Sequence, residues 1–490
     1  MGHLGAYAMT PVRTLLLGSV AIAGTAVQAA DLPTKTAAPV DYVRICSTHG
    51  VGFFYIPGTE TCLRVGGRVR AEYLYVEPTD RSQDAVGFRA RGRINIDTRT
   101  ATAYGTLRSY IRMEITRSSG AYTGGDITTS SNIAQAFIQF GGLTAGRTVS
   151  FFTHPDLPAP NFGDLRFDDP TNAEVNLLAY TFSFGNGFSA SLSLEDGLER
   201  RVNNELNFPL FGVGSPAQVL APIPFDYGGE RIPDVVANLR YTGTWGGAQL
   251  SGALHQIRDV AFGLTTVDGV TVPVINPITG LPYPAHADTD YGFALAAHAY
   301  ANLPFLGTGD TGWISATYTD GAVGYINAGQ AGPISNGFIS AGRIAQPFAD
   351  AFVDPLTGEF KTNKAYGVAG GINHNWTPTI QTNVFGSWMR FDASGIAQYV
   401  VPASAAAVAS SIAGTTTGLV DFNEYRAGAN VIWTPVEGFL IGVEALYIRV
   451  DPRGRVAVPL TDASGEPTGG FRAAGSDDTW EGRLRIQRDF

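Results

Sequence analysis

The chain has 490 residues, with 60 glycines and 28 prolines against four methionines and two cysteines, and a formal net charge of -10. An acidic balance excludes a nucleic-acid-binding surface, and the glycine and proline load excludes an all-helical fold in favour of many short strands joined by turns. No segment after the N-terminus reaches the roughly 20 apolar residues a helical span needs, and no composition break divides the remainder.

Residues 1–29 read as a secretory signal. Arg13 is the basic flank, Leu15 to Val27 the apolar run, and Val27-Gln28-Ala29 a small-residue cleavage site, with Met9 as an alternative start. Export without a helical anchor leaves a soluble periplasmic or secreted protein, or a β-barrel of the outer membrane. Residues 30–62 form an N-terminal segment holding both cysteines, Cys46 and Cys62. In an exported chain such a close pair is expected to form a disulfide rather than a metal site, contributing roughly 3 kcal/mol through loop closure.

From residue 63 the pattern is period two. Arg64, Arg68 and Arg70, then Arg89, Arg91 and Arg93, then Arg108 and Arg112 fall on alternate positions, and their alternate neighbours, such as Val65, Val69, Ile94, Ile111 and Ile115, are apolar. One face is greasy and the other cationic, as in the wall of a water-filled barrel in a membrane. Only three of the 33 cations are lysine. Arginine stays charged and presents a fixed fork of donors.

The alternation predicts strands near 63–76, 86–99, 102–117, 133–142, 143–150, 175–184, 188–195, 233–245, 248–258, 290–302, 312–318, 364–376, 379–390, 422–433, 438–450 and 478–490. The expected fold is therefore all-β, a transmembrane antiparallel barrel of about 16 strands over 63–490. Short turns at Thr100-Ala101, Gly185-Asn186-Gly187, Gly246-Gly247, Thr377-Pro378 and 434–437 alternate with long connections. Short turns on one rim and long loops on the other are the outer-membrane arrangement. Aromatics near strand ends, among them Tyr73, Tyr75, Phe140, Tyr180, Phe182, Tyr241, Trp245, Trp376, Trp433, Tyr447 and Trp480, suit headgroup depth.

The connection at about 151–174 differs from the others. It carries Asp156, Asp164, Asp168, Asp169 and Glu174 with Phe151, Phe152, Phe162, Phe167 and four prolines. It suits either a loop folded into the barrel, with its carboxylates opposite the arginines, or a solvated loop on the outer rim. Gly307-Thr308-Gly309-Asp310-Thr311-Gly312 matches GxGxxG, but the strand-like segment after it offers no helix N-terminus for a pyrophosphate, so it is read as a turn. His286-Ala287-Asp288-Thr289-Asp290 lacks the spacing of a metal site, and no HExxH or GxSxG occurs. No cofactor, metal or catalytic group is expected. The chain closes on an amphipathic strand, with Trp480, Leu484, Ile486 and Phe490 on one face and Glu481, Arg483, Arg485 and Gln487 on the other.

The run from Val43-Arg44-Ile45-Cys46 through Gly52-Phe53-Phe54-Tyr55-Ile56-Pro57 to Cys62-Leu63-Arg64-Val65-Gly66-Gly67-Arg68, with Ala136 to Gly142, Tyr180 to Asp196 and Gly482 to Phe490, resembles the outer-membrane general porins of rhizobial and related alphaproteobacteria. The terminal Phe490 resembles the assembly signal of outer-membrane barrels. The resemblance implies a 16-stranded homotrimer in the Gram-negative outer membrane, among lipid, with the loop after the fifth strand folded inward as a constriction. The expected function is passive diffusion of small hydrophilic solutes and ions past an eyelet of the wall arginines and loop acids. The rivals are a structural or adhesive barrel with a plugged lumen and a surface hydrolase.

Overall fold

The computed structural model describes residues 44–166, 173–202, 227–259, 264–267, 270–273, 282, 289–326, 338–353, 360–393, 415–416, 420–461 and 467–490. The signal expected over 1–29, Asp168 and Asp169 of the acidic connection, and His286 to Asp288 lie outside these residues. Among those described, no helix is long and apolar enough to cross a membrane.

Alternating segments become strands because one face can meet lipid and the other the interior. In chain order the wall strands are β1 (Thr61–Val76), β2 (Val86–Thr102), β3 (Gly105–Gly120), β4 (Ile127–Phe140), β5 (Leu143–Val149), β6 (Glu174–Gly185), β7 (Phe188–Glu195), β8 (Asp234–Gly243), β9 (Gly246–Arg258), β10 (Thr289–Asn302), β11 (Thr311–Asp320), β12 (Lys364–Thr377), β13 (Ile380–Asp392), β14 (Phe422–Val436), β15 (Phe439–Pro452) and β16 (Asp477–Asp489). Each pairs antiparallel with the next, and β16 returns to β1 from Arg68↔Asp489 to Val76↔Glu481. All sixteen expected strands are present in the expected order. The seventeenth strand of the sheet is the two-residue Phe54–Tyr55 ahead of β1. Closure gives every wall strand a neighbour on each side, as a sheet in hydrocarbon requires.

Val65, Val69, Ile94, Ile111 and Ile115 are exposed on the outer face, as are Leu192, Leu250, Leu295 and Val443 further round. Such a band would aggregate in water and is stable in lipid. Aromatics frame it in pairs: Tyr241 stacks on Trp245 with centroids 5.7 Å apart, and Tyr447 meets Trp480 at 5.1 Å.

Several turns sit a few residues from where the sequence suggests. Thr100 pairs with Leu107, Ala101 with Thr106 and Thr102 with Gly105, so the β2–β3 reversal is at Ala103-Tyr104 rather than Thr100-Ala101. Gly105 decides this, since its φ of 112° lies where other residues are strained. Likewise Gly246 pairs with Gly243, so the β8–β9 turn is Thr244-Trp245. β4 begins at Ile127 rather than near 133, because Ser119 to Glu114 of β3 pair with Ile127 to Asn132. After Ile127 those residues are polar, and all are exposed on both faces, so no alternation announces them.

The interior has a dry sector. Inward residues of β11 to β15, among them Trp313, Phe385, Met389, Phe391, Phe422 and Leu446, pack against Ile339, Ile344 and Phe348 from the connection before β12. Leu157 and Leu165 of the β5–β6 connection complete the cluster. Next to it round the barrel, β16, β1, β2 and β3 carry charge. Cys46 and Cys62 form a disulfide, and Phe53 beside it lies 4.9 Å beneath the guanidiniums of both Arg64 and Arg99. The N-terminal segment is thereby clamped to the start of β1.

Candidate functional site

Since opposed residues of an antiparallel pair share a face, the register fixes which side chains meet. Here it sets arginine against arginine: Arg68 opposite Arg93, Arg70 opposite Arg91, and Arg99 opposite Arg108. Directly opposed like charges are destabilising, and inward carboxylates offset them. Near the short-turn rim, Asp97 takes Arg99 at 2.9 Å and Arg108 at 3.0 Å, with Arg64 at 3.7 Å. At mid-height Glu114 meets Arg93 at 2.6 Å and Arg91 at 3.3 Å, and Asp489 meets Arg68 at 2.5 Å. Toward the long-loop end Glu72 is shared by Arg89 and Arg485, each at 2.6 Å. Arg112 pairs with Glu174, and Arg70 Nε donates to the Gln487 amide oxygen at 2.8 Å.

The acidic connection turns inward because β5 is short. It has 7 residues against 14 in β4, so the chain leaves the wall partway up. The connection runs from residue 150 to 173, and Glu174 is the first residue of β6 rather than a loop acid. Prolines at 155, 158 and 160 remove backbone donors that an extended path through the interior would leave unpaired.

What remains of the main chain is fastened to the wall. Ser150 Oγ and Phe151 N donate to Glu195 at 2.6 and 2.9 Å, and the Phe151 and Phe152 carbonyls accept from Asn238 and Gln249 at 2.6 and 3.1 Å. Farther along, the carbonyl of Pro158 accepts from Asn373 at 2.8 Å and that of Pro160 from Asn430 at 3.0 Å. Phe162 N and Gly163 N both donate to Glu444 at 2.6 Å. Arg166 N donates to Ser387 Oγ at 3.1 Å, and the Arg166 guanidinium pairs with buried Glu424 at 2.6 Å. These partners belong to β7, β8, β9, β12, β13, β14 and β15, so the loop crosses the interior and seats on the far wall. The Phe162 ring then lies 4.0 Å from the Arg485 guanidinium, and its carbonyl accepts from Arg483 at 3.1 Å.

The expected site residues are thus distributed as follows. Arg112 and Glu174 meet directly. Asp164 lies in the field of Arg426 and Arg483, and Asp156 in that of Arg240. The other wall arginines are matched chiefly by Glu72, Asp97, Glu114 and Asp489, which the sequence reading did not single out. The signal for them was present: Glu72 and Glu114 hold the same alternate positions as Arg70 and Arg112, as Arg483 and Arg485 do on the last strand. Within the loop, burial and then the charge of Arg240 hold His154 down to a pKa of about 4. At the long-loop rim, Asp350 accepts from Tyr227 OH at 2.6 Å and from the Val202 and Val323 amides at 2.7 Å, and burial pushes its carboxyl up.

A family profile described as the porin subfamily matches residues 31–482. Porin Omp2b of Brucella canis is 34% identical over 251 residues, covering 48% of this chain and 63% of its own length. Porin Omp2b of Brucella suis is 35% identical over 247 residues, covering 48% and 64%. The chain therefore spans less than two thirds of the length of these relatives. The outer membrane channel DcaP of Acinetobacter baumannii has a similar fold, with a TM-score of 0.57 over 89% of this chain and 99% of that one at 13% identity. With a profile match along nearly its whole length and a closed 16-strand barrel to carry it, the chain belongs to the porin subfamily and is a β-barrel of the Gram-negative outer membrane.

Proposed function

We propose that the protein is a passive diffusion pore for small hydrophilic solutes and ions, driven by concentration gradients alone. The observation that carries this reading is the loop seated across the interior by its main chain, opposite an inward arginine wall. A charged constriction in a 16-strand barrel passes hydrated solutes at low cost and penalises apolar ones. In this reading the eyelet consists of Arg64, Arg68, Arg70, Arg89, Arg91, Arg93, Arg108 and Arg112 with Asp156, Asp164, Asp168, Asp169 and Glu174, and the chain has no enzymatic role.

Assembly as a homotrimer belongs to the same proposal. It is supported by β4, whose residues 127–135 pair with β3 on one side while β5 reaches only as far as Ala136 on the other. A stretch of strand edge without a neighbour among the described residues calls for a partner. One observation favours a second reading, a plugged structural barrel: the apolar cluster that fills the β11 to β15 side. Planar-bilayer recording separates the two. Purified protein should add conductance in triple steps, whereas a membrane that stays silent at saturating protein rules out the pore.

A further inference from the structure

The wall formed by β1, β2 and β16 holds more guanidinium than its carboxylates can match. Arg68 and Arg70 stand opposite Arg93 and Arg91, with Cβ atoms about 5 Å apart across such a pair. The neighbouring carboxylates are engaged elsewhere. Glu72 accepts from Arg89 on one oxygen and from Arg485 on the other, each at 2.7 Å. Glu114 meets Arg93 with one oxygen and Arg91 with the other, at 2.6 and 3.3 Å, while Asp489 holds Arg68. Among the described residues Arg70 is hydrogen-bonded to an amide oxygen, that of Gln487, and it lies in the field of three guanidiniums, those of Arg485, Arg68 and Arg91, against the one carboxylate of Glu72. Nearby, Arg93 Nε and Arg112 Nε are buried and make no hydrogen bond among the described residues, Arg112 Nε standing 3.6 Å from Glu114 Oε1. The described loop acids bring no relief, since Asp164 lies by Arg426 and Arg483 and Asp156 by Arg240. A like-charged group of this kind, short of acceptors and facing the lumen, is matched by a mobile anion.

We infer that Arg70, flanked by Arg68, Arg91 and Arg485, is an oxyanion subsite on the lumen wall, which a small doubly charged oxyanion of the phosphate or sulfate class occupies on its way through. Guanidinium forks match the spaced oxygens of such ions two bonds at a time, a geometry that spherical chloride cannot use. Occupancy is transient and no bond is made or broken. The subsite rests on the diffusion-pore reading and adds to it a preferred class of solute.

The test is bilayer recording in potassium chloride with inorganic phosphate, and separately sulfate, added in steps. Chloride current through the unmodified channel should fall saturably with either oxyanion. Arg70→Gln should weaken the apparent phosphate affinity about tenfold, the size of one lost charge-assisted contact. Arg70→Lys, which keeps the charge but loses the fork and is the milder change for folding, should weaken it as well. Arg117→Gln, at the outer end of β3 where Arg117 contacts Thr129, should titrate like the unmodified protein. If chloride current flows but phosphate and sulfate reduce it no more than an equal ionic strength of chloride, the subsite is refuted and the pore reading stands. A channel that passes no chloride refutes both.

Discussion

At the residue scale, two side chains decide how the inward loop behaves. His154 is fully buried within the loop and its pKa is held to about 4, against about 6.5 when unfolded. A histidine depressed in the folded state contributes stability that is complete above its unfolded pKa and is lost as pH falls toward the folded one. The thermal midpoint should therefore drop between pH 7 and pH 4, and the His154→Gln variant should drop less over the same range. Glu444 takes the amides of Phe162 and Gly163 and also Asn430 Nδ2 at 2.9 Å. Hydrogen bonds to a buried charge are each worth about 1.5–3 kcal/mol, so Glu444→Ala should loosen the loop, seen as faster proteolysis within 150–173 and noisier, larger single-channel currents. Neither role was legible in the sequence. Glu444 lies 281 positions from Gly163, and only the tertiary fold brings them together.

At the element scale the strands were legible, because a side-chain period of two survives even where turns do not announce themselves. Registers were not. Placing the β2–β3 turn at Thr100 instead of Ala103 shifts every partner between those two strands, so the pairing of Arg99 with Arg108 could not be read in advance. The seam between β16 and β1 also appears only in three dimensions. Gly67 N donates to the Phe490 carbonyl at 2.9 Å and Phe490 N to the Gly67 carbonyl at 3.1 Å. A Cβ at position 67 would sit 2.5 Å from the Arg93 carbonyl oxygen and 2.6 Å from the Phe490 ring. Gly67→Val should therefore hinder closure, measured as a lower yield of heat-modifiable barrel on semi-native gels. Removal of Phe490, read as an assembly signal, should lower the same yield. The Cys46–Cys62 bridge closes a loop of separation 16, and its reduction should cost roughly 3 kcal/mol of unfolding free energy, read as an earlier denaturant midpoint under reducing conditions.

At the scale of the whole molecule, the sequence disclosed a closed barrel with an arginine-rich face but not the division of its interior. Trp313, Phe385, Met389 and Leu446 face inward where a uniformly aqueous lumen would place polar groups. Beside each of them the outer face is apolar too, with Ile314 next to Trp313, Val384 next to Phe385, Trp388 next to Met389 and Ala445 next to Leu446, so the two faces look alike on paper there. Only the connection before β12, folding inward to cover them, reveals which face is which. Chemical cross-linking of purified protein should give a ladder that ends at three chains, and a Pro substitution at Ser131 in the half-paired stretch of β4 should weaken that ladder. The way the loop is held has a further consequence. The carbonyls of Phe151, Phe152, Pro158, Pro160, Phe162 and Asp164 and the amides of Phe151, Phe162, Gly163 and Arg166 make most of its attachments. A tether that grips the backbone does not depend on which side chains the backbone bears. Descendants of this gene can therefore replace the acids and aromatics of the loop one at a time and explore new diets while keeping the same gate in place.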